Sequence, residues 1–218
     1  MRLFLLRHGE TVFNAQSRAQ GFSDPELTKL GRRQAQALAN VLAKENLAAV
    51  YASDLKRAVE TARIIAQPHG LTVQTDPGLR EIHQGIFEGL SVTEIRTQHS
   101  ELVEEWMAAP DRFVMPEGES LAQVQERAWA SVQRIVAAHP EGQVIAVSHN
   151  LTIMAILCRA LAMDLVHFRR LHQDLAARST IEFGPRGPKV TLLNDTCHLK
   201  DVERRTIDQP TGGSQHSR

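Results

Sequence analysis

The sequence predicts an α/β protein whose central sheet is mostly parallel. Three short apolar runs, 3–6, 48–52 and 144–147, have the composition of buried strands and are too short for helices. Segments with apolar residues at helical spacing follow these runs in the chain. Strands that alternate with helices in this way are typical of an α/β fold.

The first strand ends in Arg7-His8-Gly9, a cation, an imidazole and a flexible residue side by side. In open α/β sheets, ligands bind just beyond the carboxyl ends of the strands. Gly9 allows a sharp backbone turn and the close approach of a ligand. A cation beside a nucleophile suits an anionic substrate. Taken alone, the segment is equally consistent with a capping arginine and a surface histidine.

Two further strand ends carry similar side chains. One predicted strand ends in Ser148-His149, and another ends in Ser53-Asp54, which we expect to cap a helix. Arg57 then lies in the first turn of that helix, where backbone N–H groups favour an anion. If the three strands are neighbours, two arginines and two histidines meet in a phosphate-sized site without a carboxylate cluster for a metal.

The remaining segments are predicted from local patterns. Residues 10–25 lack a clear period and are interpreted as a loop over the crevice. Thr28 is the expected cap of a helix of roughly sixteen residues, and capping boxes begin at Ser91 and Ser120. Residues 88–120 are expected to form a lid insertion. Further strands are predicted at 71–74, 179–183 and 189–193.

Length and composition indicate one domain over residues 1–205 and a disordered polar tail at 206–218. The 25 basic and 25 acidic residues cancel, so nothing points to nucleic acid or to a charged membrane surface as partner. No apolar run has membrane-spanning length, and no signal peptide is recognisable. Two cysteines do not make a disulfide framework. We therefore expect a cytoplasmic protein.

Five motifs, taken in order along the chain, give the sequence a family resemblance. It resembles the histidine phosphatase superfamily, which includes the cofactor-dependent phosphoglycerate mutases. The motifs are Leu5-Leu6-Arg7-His8-Gly9-Glu10-Thr11 with Asn14, Gly21-x-x-Asp24 before Leu27-Thr28-x-x-Gly31, Ser53-Asp54-Leu55-x-Arg57-Ala58-x-x-Thr61-Ala62, Leu79-x-Glu81-x-x-x-Gly85-x-x-Glu88-Gly89, and Val147-Ser148-His149. The family usually has glycine after the second histidine. This chain has Asn150, a residue type that tolerates left-handed backbone geometry.

The resemblance implies a three-layer α/β/α fold with a mostly parallel central sheet and a small helical lid subdomain. It also implies that His8 attacks phosphorus and becomes phosphohistidine. Arg7, Arg57 and His149 suit the stabilisation of charge on the transferred phosphoryl group. The residues expected to bind substrate are Asn14, Gln20, Gly21 and Asn150.

Glu81 matches the family's acid/base position. A leaving alkoxide needs a proton and a water must later lose one, and a single carboxyl group can do both in turn. Glu81 must then be protonated when the ester is cleaved, which a nearby phosphate favours and the arginines oppose. Outside the motif, a surface carboxylate paired with Arg80 would be the ordinary interpretation.

No metal or other cofactor is expected. The remaining histidines lack the spacing H-E-x-x-H, and the chain has no C-x-x-C. Trp106, Met107, Phe113 and Met115 form either a substrate wall or the core of the helical subdomain.

Phosphatases and mutases of this family share the phosphohistidine and differ in the acceptor, which is water or a second alcohol. A mutase that uses a bisphosphate needs cations in the segment covering the site. Residues 90–120 carry seven acidic residues against Arg96 and Arg112. We therefore expect a phosphatase acting on phosphate monoesters of small molecules with a partly apolar leaving group. The alternative is a cofactor-dependent phosphoglycerate mutase.

Other classes of function are less consistent with the residues. A catalytically silent relative could bind a phosphorylated protein as an adaptor, but such relatives usually lose the nucleophile or the acid. A nucleotide-binding module would need a glycine-rich phosphate loop, which the chain lacks. A homodimer joined through the C-terminal strand pair is one arrangement that the sequence allows.

Overall fold

A six-stranded mixed sheet organises this computed structural model, which describes residues 1–202. The strands are β1 (Arg2–Arg7), β2 (Leu47–Ala52), β3 (Val73–Thr75), β4 (Gln143–Ser148), β5 (Arg178–Gly184) and β6 (Gly187–Asp195). Their order is β3-β2-β4-β1-β5-β6. The first four strands in this order are parallel, whereas β5 and β6 each run antiparallel to their neighbour. The strands predicted from the sequence are confirmed, and the tail at 206–218 lies outside the described residues.

Helices cover both faces of the sheet. They are α1 (Val12–Ala15), α2 (Lys29–Leu42), α3 (Lys56–Ala66), α4 (Val92–Gln98), α5 (Ser100–Ala108), α6 (Leu121–Ala138) and α7 (Asn150–Ala160). The pair α2 and α3 packs on one face, and the pair α6 and α7 packs on the other. This is the predicted three-layer α/β/α fold. None of the helices within residues 1–202 has the length and apolarity needed to cross a bilayer.

The alternating side chains of β1 explain why both faces must be covered. Phe4 and Leu6 pack into the apolar cluster beneath α2 and α3. Leu3 and Leu5 pack into the cluster beneath α6 and α7. All four side chains are buried, so the strand is apolar along its length instead of alternating with polar residues.

A third apolar cluster lies beside the sheet and supports the segment 88–120, which contains α4 and α5. Phe113 and Met115 from this segment are buried against Met154 of α7 and Phe168 from the turn that follows it. Segment 88–120 therefore packs against the third apolar cluster, which also includes residues of α7.

The three strands that end in polar motifs are neighbours, as predicted. Strand β4 lies between β1 and β2. Arg7 at the end of β1 pairs with Ser148, and Ala52 at the end of β2 pairs with Val147. The carboxyl ends of all three strands therefore meet at one edge of the sheet.

Helix caps agree with the sequence at three positions and disagree at one. The side-chain oxygens of Thr28, Ser91 and Ser120 each accept a backbone N–H at the start of a helix, as predicted. The expected Ser53-Asp54 cap of α3 was wrong, because Leu55 occupies the cap position without a side-chain hydrogen bond. The carboxylate of Asp54 is instead engaged in an ion pair described below.

Residues 10–25 are more ordered than the predicted loop. They contain α1, whose first turn is closed by a capping box between Thr11 and Asn14. The hydroxyl of Thr11 accepts the backbone N–H of Asn14, and the side-chain oxygen Oδ1 of Asn14 accepts the backbone N–H of Thr11, each at 3.1 Å. A helix of four residues is too short to show a hydrophobic period, so the sequence pattern does not predict α1.

Gly9 serves close packing and not a sharp turn. The backbone forms no turn or bend at residues 8–10, so the expected sharp turn was wrong, and φ of Gly9 is not positive, unlike that of Gly21. A Cβ at position 9 would lie 2.4 Å from the carbonyl oxygen of Gly31, at the start of α2. The two glycines therefore let the end of β1 and the first turn of α2 touch through their backbones.

We predict that Gly9→Ala lowers the free energy of unfolding by about 1–3 kcal/mol, because a backbone atom must move to admit the methyl group. Gly184→Ala is the matched control, since a Cβ there meets nothing within 4 Å and φ is not positive. The control should change stability by less than about 0.5 kcal/mol. Urea denaturation of both variants is the measurement, and equal stabilities would contradict the packing argument.

Candidate functional site

A cleft of about 430 Å³ opens at the sheet edge where β1, β2 and β4 end. Arg7, His8, Arg57 and Glu81, four of the five predicted catalytic residues, line it. The predicted substrate-binding residues Asn14, Gln20 and Asn150 line it as well. Within residues 1–202, no three His, Cys, Asp or Glu side chains are grouped as metal ligands.

His8 is buried at the end of β1 with its ring fixed in one tautomer. Its backbone N–H donates to the carbonyl of Ser148 at 3.1 Å, which extends the pairing of β1 with β4. The ring Nδ1 lies 2.7 Å from the carbonyl oxygen of Gly9. A carbonyl only accepts, so Nδ1 must carry the proton and Nε2 keeps its lone pair.

His149, the fifth predicted catalytic residue, is next to His8, is fully buried at the start of α7 and is not among the residues that line the cleft. The two ring centroids are 5.1 Å apart. Nδ1 of His149 accepts a hydrogen bond from Nε of Arg57 at 3.2 Å, so the ring proton of neutral His149 is on Nε2. That buried Nε2 has no hydrogen-bond partner within the part of the chain that the structure describes.

The guanidinium group of Arg57 is held on three sides. Besides the bond from Nε to His149, Nη1 donates to the carbonyl of Ser23 and Nη2 to the carbonyl of Gly21, each at 2.8 Å. Oδ1 of Asp24 lies 3.9 Å from Nη1, beyond hydrogen-bond distance. A guanidinium group has five N–H bonds, so one on each terminal nitrogen has no hydrogen-bond acceptor among residues 1–202. Gly21, predicted to bind substrate, thus lies behind Arg57 and holds it through the backbone.

The pKa values of the buried histidines and arginines at this edge determine which of them are charged. Burial, with the nearby Arg57 and Arg7 guanidinium groups, lowers the pKa of His8 well below its usual value. Burial and Arg57 also lower the pKa of His149 well below its usual value. Burial lowers the pKa of Arg57 to about 10. At neutral pH the site therefore contains neutral histidines among charged arginines.

Arg7 is anchored by the loop before β5. Its Nη1 donates to the carbonyl of Gln173 at 2.6 Å, and the amide of Gln173 in turn donates to the carbonyl of Ala177 at 3.0 Å. Nε of Arg7 is buried and has no partner among residues 1–202. Nε of Arg7 and Nε2 of His149 are therefore two buried donors that a bound anion can satisfy.

Glu81 faces the first turn of α7. Its carboxylate accepts the backbone N–H groups of Leu151 and Thr152 at 3.2 Å each. Arg80 does not pair with Glu81; it forms a bidentate ion pair with Asp54, with Nε at 2.6 Å from Oδ1. The ordinary interpretation of Glu81 as a surface partner of Arg80 is therefore wrong, and this ion pair also explains why Asp54 does not cap α3.

Arg127 of α6 holds the backbone around Glu81. Its terminal nitrogens donate to the carbonyls of Gly78, Arg80 and Glu81 at 2.8–2.9 Å. The same guanidinium group pairs with Glu119 at 2.8 Å. Because these three backbone carbonyls bind one guanidinium group, the backbone around Glu81 is fixed, and with it the direction of the Glu81 side chain.

Glu88 holds the loop that carries the carbonyls for Arg57. Its carboxylate accepts the backbone N–H groups of Phe22 and Ser23 at 2.8 and 2.7 Å. Gly21 precedes them with φ of +51°, and a Cβ there would lie 2.1 Å from Oε1 of Glu88. Glu88 thus acts on Arg57 through this loop, and the tight turn requires glycine.

Thr11 orients the two amide side chains of the cleft. Because a backbone N–H must meet an oxygen, Asn14 turns its carbonyl oxygen toward Thr11 and leaves its amide nitrogen free. The Thr11 hydroxyl also lies 2.8 Å from Oε1 of Gln20. The backbone N–H of Thr11 therefore leaves the amide nitrogen of Asn14 available as a donor.

Asn150 does not adopt the left-handed geometry that the resemblance led us to consider. It is the first residue of α7, and its φ is not positive. The extended residue at this point is His149, with φ of −131° and ψ of 172°. Position 150 thus does not require glycine, and its side chain lines the cleft.

The cleft-lining residues other than the predicted catalytic and substrate-binding ones are called its outer wall below, and most of them were not identified from the sequence. Of the four residues considered as a substrate wall or core, Trp106 and Met115 line the cleft, Phe113 is buried in the third cluster, and Met107 is exposed. No motif marked the other members, which come from separate segments. They are Arg18, Ala19, Gln84, Leu151, Met154, Phe168 and Arg169.

The acidic residues of 90–120 do not line the cleft. Glu94 caps α4, and Glu119 pairs with Arg127. The cations of the outer wall, Arg18 and Arg169, come from outside this segment. The segment reaches the cleft through Trp106 and Met115 and not through its acidic side chains, so its acidic composition does not by itself distinguish a phosphatase from a mutase.

Two known proteins illustrate the sequence similarity. The chain is 35% identical over 199 residues to phosphoserine phosphatase 1 of Hydrogenobacter thermophilus, covering 91% of this chain and 94% of that protein. It is 30% identical over 204 residues to the probable phosphoglycerate mutase GpmB of Yersinia pestis, covering 91% and 95%.

Solved structures share the fold. YhfR of Bacillus stearothermophilus superposes with a TM-score of 0.87 at 32% identity, covering 91% of this chain and 99% of that one. The mycobacterial glucosyl-3-phosphoglycerate phosphatase Rv2419c, in complex with VO3, superposes with a TM-score of 0.83 at 32% identity, covering 89% and 99%. The family model of the histidine phosphatase superfamily (branch 1) matches residues 3–196, nearly the whole chain. The chain therefore belongs to the histidine phosphatase superfamily.

Proposed function

We propose that this protein is a metal-independent phosphatase that hydrolyses phosphate monoesters of small molecules through a phosphohistidine on His8. One observation carries the proposal: the buried His8 presents a free Nε2 in a cleft that Arg7 and Arg57 also line, close to buried donors without partners among residues 1–202. Burial and the two arginines lower the pKa of His8, which favours the neutral ring. That arrangement combines a nucleophile with a cradle for the oxygens of a phosphoryl group.

In the first step, Nε2 of His8 attacks phosphorus. A nitrogen–phosphorus bond forms as the bond to the ester oxygen breaks. Glu81 gives its proton to the leaving oxygen, so the product alcohol departs neutral. The bond from Nδ1 of His8 to the carbonyl of Gly9 keeps the ring oriented throughout.

The phosphoryl oxygens are stabilised by donors that are already in place. These are the free N–H bonds of Arg57, Nε of Arg7, Nε2 of His149 and the amide nitrogen of Asn14. Because they are fixed before the ligand binds, little reorganisation is needed as charge develops in the transition state.

In the second step, Glu81 accepts a proton from water as the water oxygen attacks phosphorus. The nitrogen–phosphorus bond breaks, inorganic phosphate forms, and neutral His8 is restored. The carboxylate of Glu81 is held by the first turn of α7 for both steps. We propose that segment 88–120 acts as a lid, and that the apolar outer wall takes the leaving group.

The relatives support water as the acceptor without deciding it. Two of the similar proteins are a phosphoserine phosphatase and a glucosyl-3-phosphoglycerate phosphatase, whereas GpmB is a probable phosphoglycerate mutase. A mutase would transfer the phosphoryl group to a second alcohol, so the acceptor must be measured.

We predict that the purified protein releases inorganic phosphate from monoesters in the presence of EDTA. A phosphorus NMR time course on a mixture of sugar phosphates, an aryl phosphate and 3-phosphoglycerate, primed with a trace of bisphosphate, measures the release. Growth of 2-phosphoglycerate with constant free phosphate would instead identify a mutase, and inhibition by EDTA would refute the metal-free mechanism.

The nucleophile is tested in the same assay. His8→Ala should abolish turnover and the acid-labile phosphoryl label. His69→Ala is the matched control and should retain both, because His69 lies in the turn after the C-terminal end of α3, whereas Arg57 lies at the N-terminal end. Full activity in His8→Ala would rule out the proposed intermediate.

We predict that Glu81→Gln slows alkyl esters by about 10²–10⁴-fold, because an alkoxide of high pKa cannot leave without a proton. The loss should be far smaller for 4-nitrophenyl phosphate, whose phenolate leaves unaided. Single-turnover rates of phosphoenzyme formation provide the measurement. Equal slowing of alkyl and aryl esters would count against Glu81 as the acid.

We predict that His8 and His149 stay neutral as pH falls below the usual range of histidine. Their pKa values are lowered in the folded state, whereas a histidine in the unfolded chain has a pKa of about 6.5. Below that pH, His8 and His149 bind protons in the unfolded chain but not in the folded chain. Stability is therefore lost on acidification, by up to about 1.4 kcal/mol per histidine per pH unit.

Ring NMR signals, assigned with His8→Ala and His149→Ala, give the direct measurement, and the protein in urea serves as the control. Titration of either ring near the unfolded value would contradict the proposed neutral nucleophile.

A further inference from the structure

Arg169 is a fixed cation on the outer wall of the cleft. It lies in the turn Leu165–Arg170 that follows α7. Its guanidinium carbon is 4.8 Å from the ring centre of Phe168 and 5.2 Å from that of Trp106. Nη2 also donates to the carbonyl of Trp106 at 3.0 Å. Two aromatic rings and one carbonyl therefore set its position.

Arg169 has no acidic partner among residues 1–202. The cleft's other outer cation, Arg18, lies 3.7 Å from Glu94 and donates to the carbonyl of Gly89. Burial lowers the pKa of Arg169, and no neighbouring carboxylate opposes this. Aromatic contacts leave the edge of a guanidinium group free, so most of its N–H bonds remain available for a planar anion.

The cleft is lined by two groups of side chains. The inner end contains the phosphoryl-site residues His8 and Arg57, and the outer wall contains Arg169. The outer wall also includes the apolar side chains of Leu151 and Met154. A small ester phosphorylated at one end can therefore place the rest of its alcohol along an apolar surface that includes one unneutralised cation.

We propose that Arg169 forms a second anion subsite, so that the preferred substrates are phosphate monoesters whose alcohol carries a further anionic group. A carboxylate or a second phosphate has this chemistry, and either can accept two parallel hydrogen bonds from a guanidinium fork. The inference rests on the proposed phosphatase function and narrows its substrate class.

The test compares esters that differ only in the second anion. The carboxylate arm uses 3-phosphoglycerate against glycerol 3-phosphate, and the phosphate arm uses 1,3-propanediol bisphosphate against the monophosphate. For each arm, the measured quantity is the ratio of kcat/KM for the anionic ester to that for its partner. This ratio does not depend on the fraction of folded enzyme.

We expect Arg169→Gln to lower the ratio at least about tenfold in one arm, because a charged hydrogen bond is lost. The arm that responds identifies the anion. Arg169→Lys should retain part of the ratio, since it keeps the charge without the fork. Arg170→Gln is the matched control, an exposed arginine of the same turn that does not line the cleft, and should leave both ratios unchanged.

Ratios unchanged in Arg169→Gln, or lowered equally by Arg170→Gln, would overturn the subsite. Calorimetric binding of the same four esters to His8→Ala, with and without Arg169→Gln, repeats the comparison without turnover. If the wild type hydrolyses none of the esters, the phosphatase proposal fails, and the binding ratio still decides the role of Arg169.

Discussion

The burial of one positive charge, the guanidinium group of Arg57, is the constraint on which the site depends. A buried cation is tolerated only if its N–H bonds are satisfied. Arg57 meets most of this need with His149 from the end of β4, with the carbonyls of Gly21 and Ser23, and with the Asp24 carboxylate 3.9 Å from Nη1. One side chain thus joins two strand ends to the loop after α1, and the loss of any partner leaves a buried donor unpaired.

The same cation determines the chemistry of its neighbours. Together with burial and Arg7, it keeps the rings of His8 and His149 neutral. The bond from Nε of Arg57 also fixes the tautomer of His149, as the carbonyl of Gly9 fixes that of His8. In the proposed mechanism, a free lone pair on His8 and a donor on His149 follow directly from these two bonds.

Several acidic residues support the site without facing its ligand. Glu88 holds the loop that carries the carbonyls for Arg57. Glu119 neutralises Arg127, which holds the backbone of Glu81. Within 90–120, Glu119 and Glu94 are likewise held by protein donors, whereas Glu101, Glu104, Glu105 and Glu117 are exposed and do not line the cleft. The net charge of a segment is therefore a poor guide to the charge that a substrate meets.

The sequence by itself determined the strands, the caps at Thr28, Ser91 and Ser120, and the inner end of the cleft. Buried strands, helix starts and strand-end motifs are encoded by neighbouring residues through backbone geometry and short spacing. His8 and His149 could be expected to meet because parallel strands end at a common edge of the sheet.

The tertiary structure alone decided which distant side chains pair and which face the cleft. Asp54 is a residue type that commonly caps helices, but its carboxylate pairs with Arg80 instead. Arg169 reaches the outer wall because the turn after α7 packs against Trp106. Such contacts depend on the three-dimensional approach of segments far apart in the chain, and no local pattern records them.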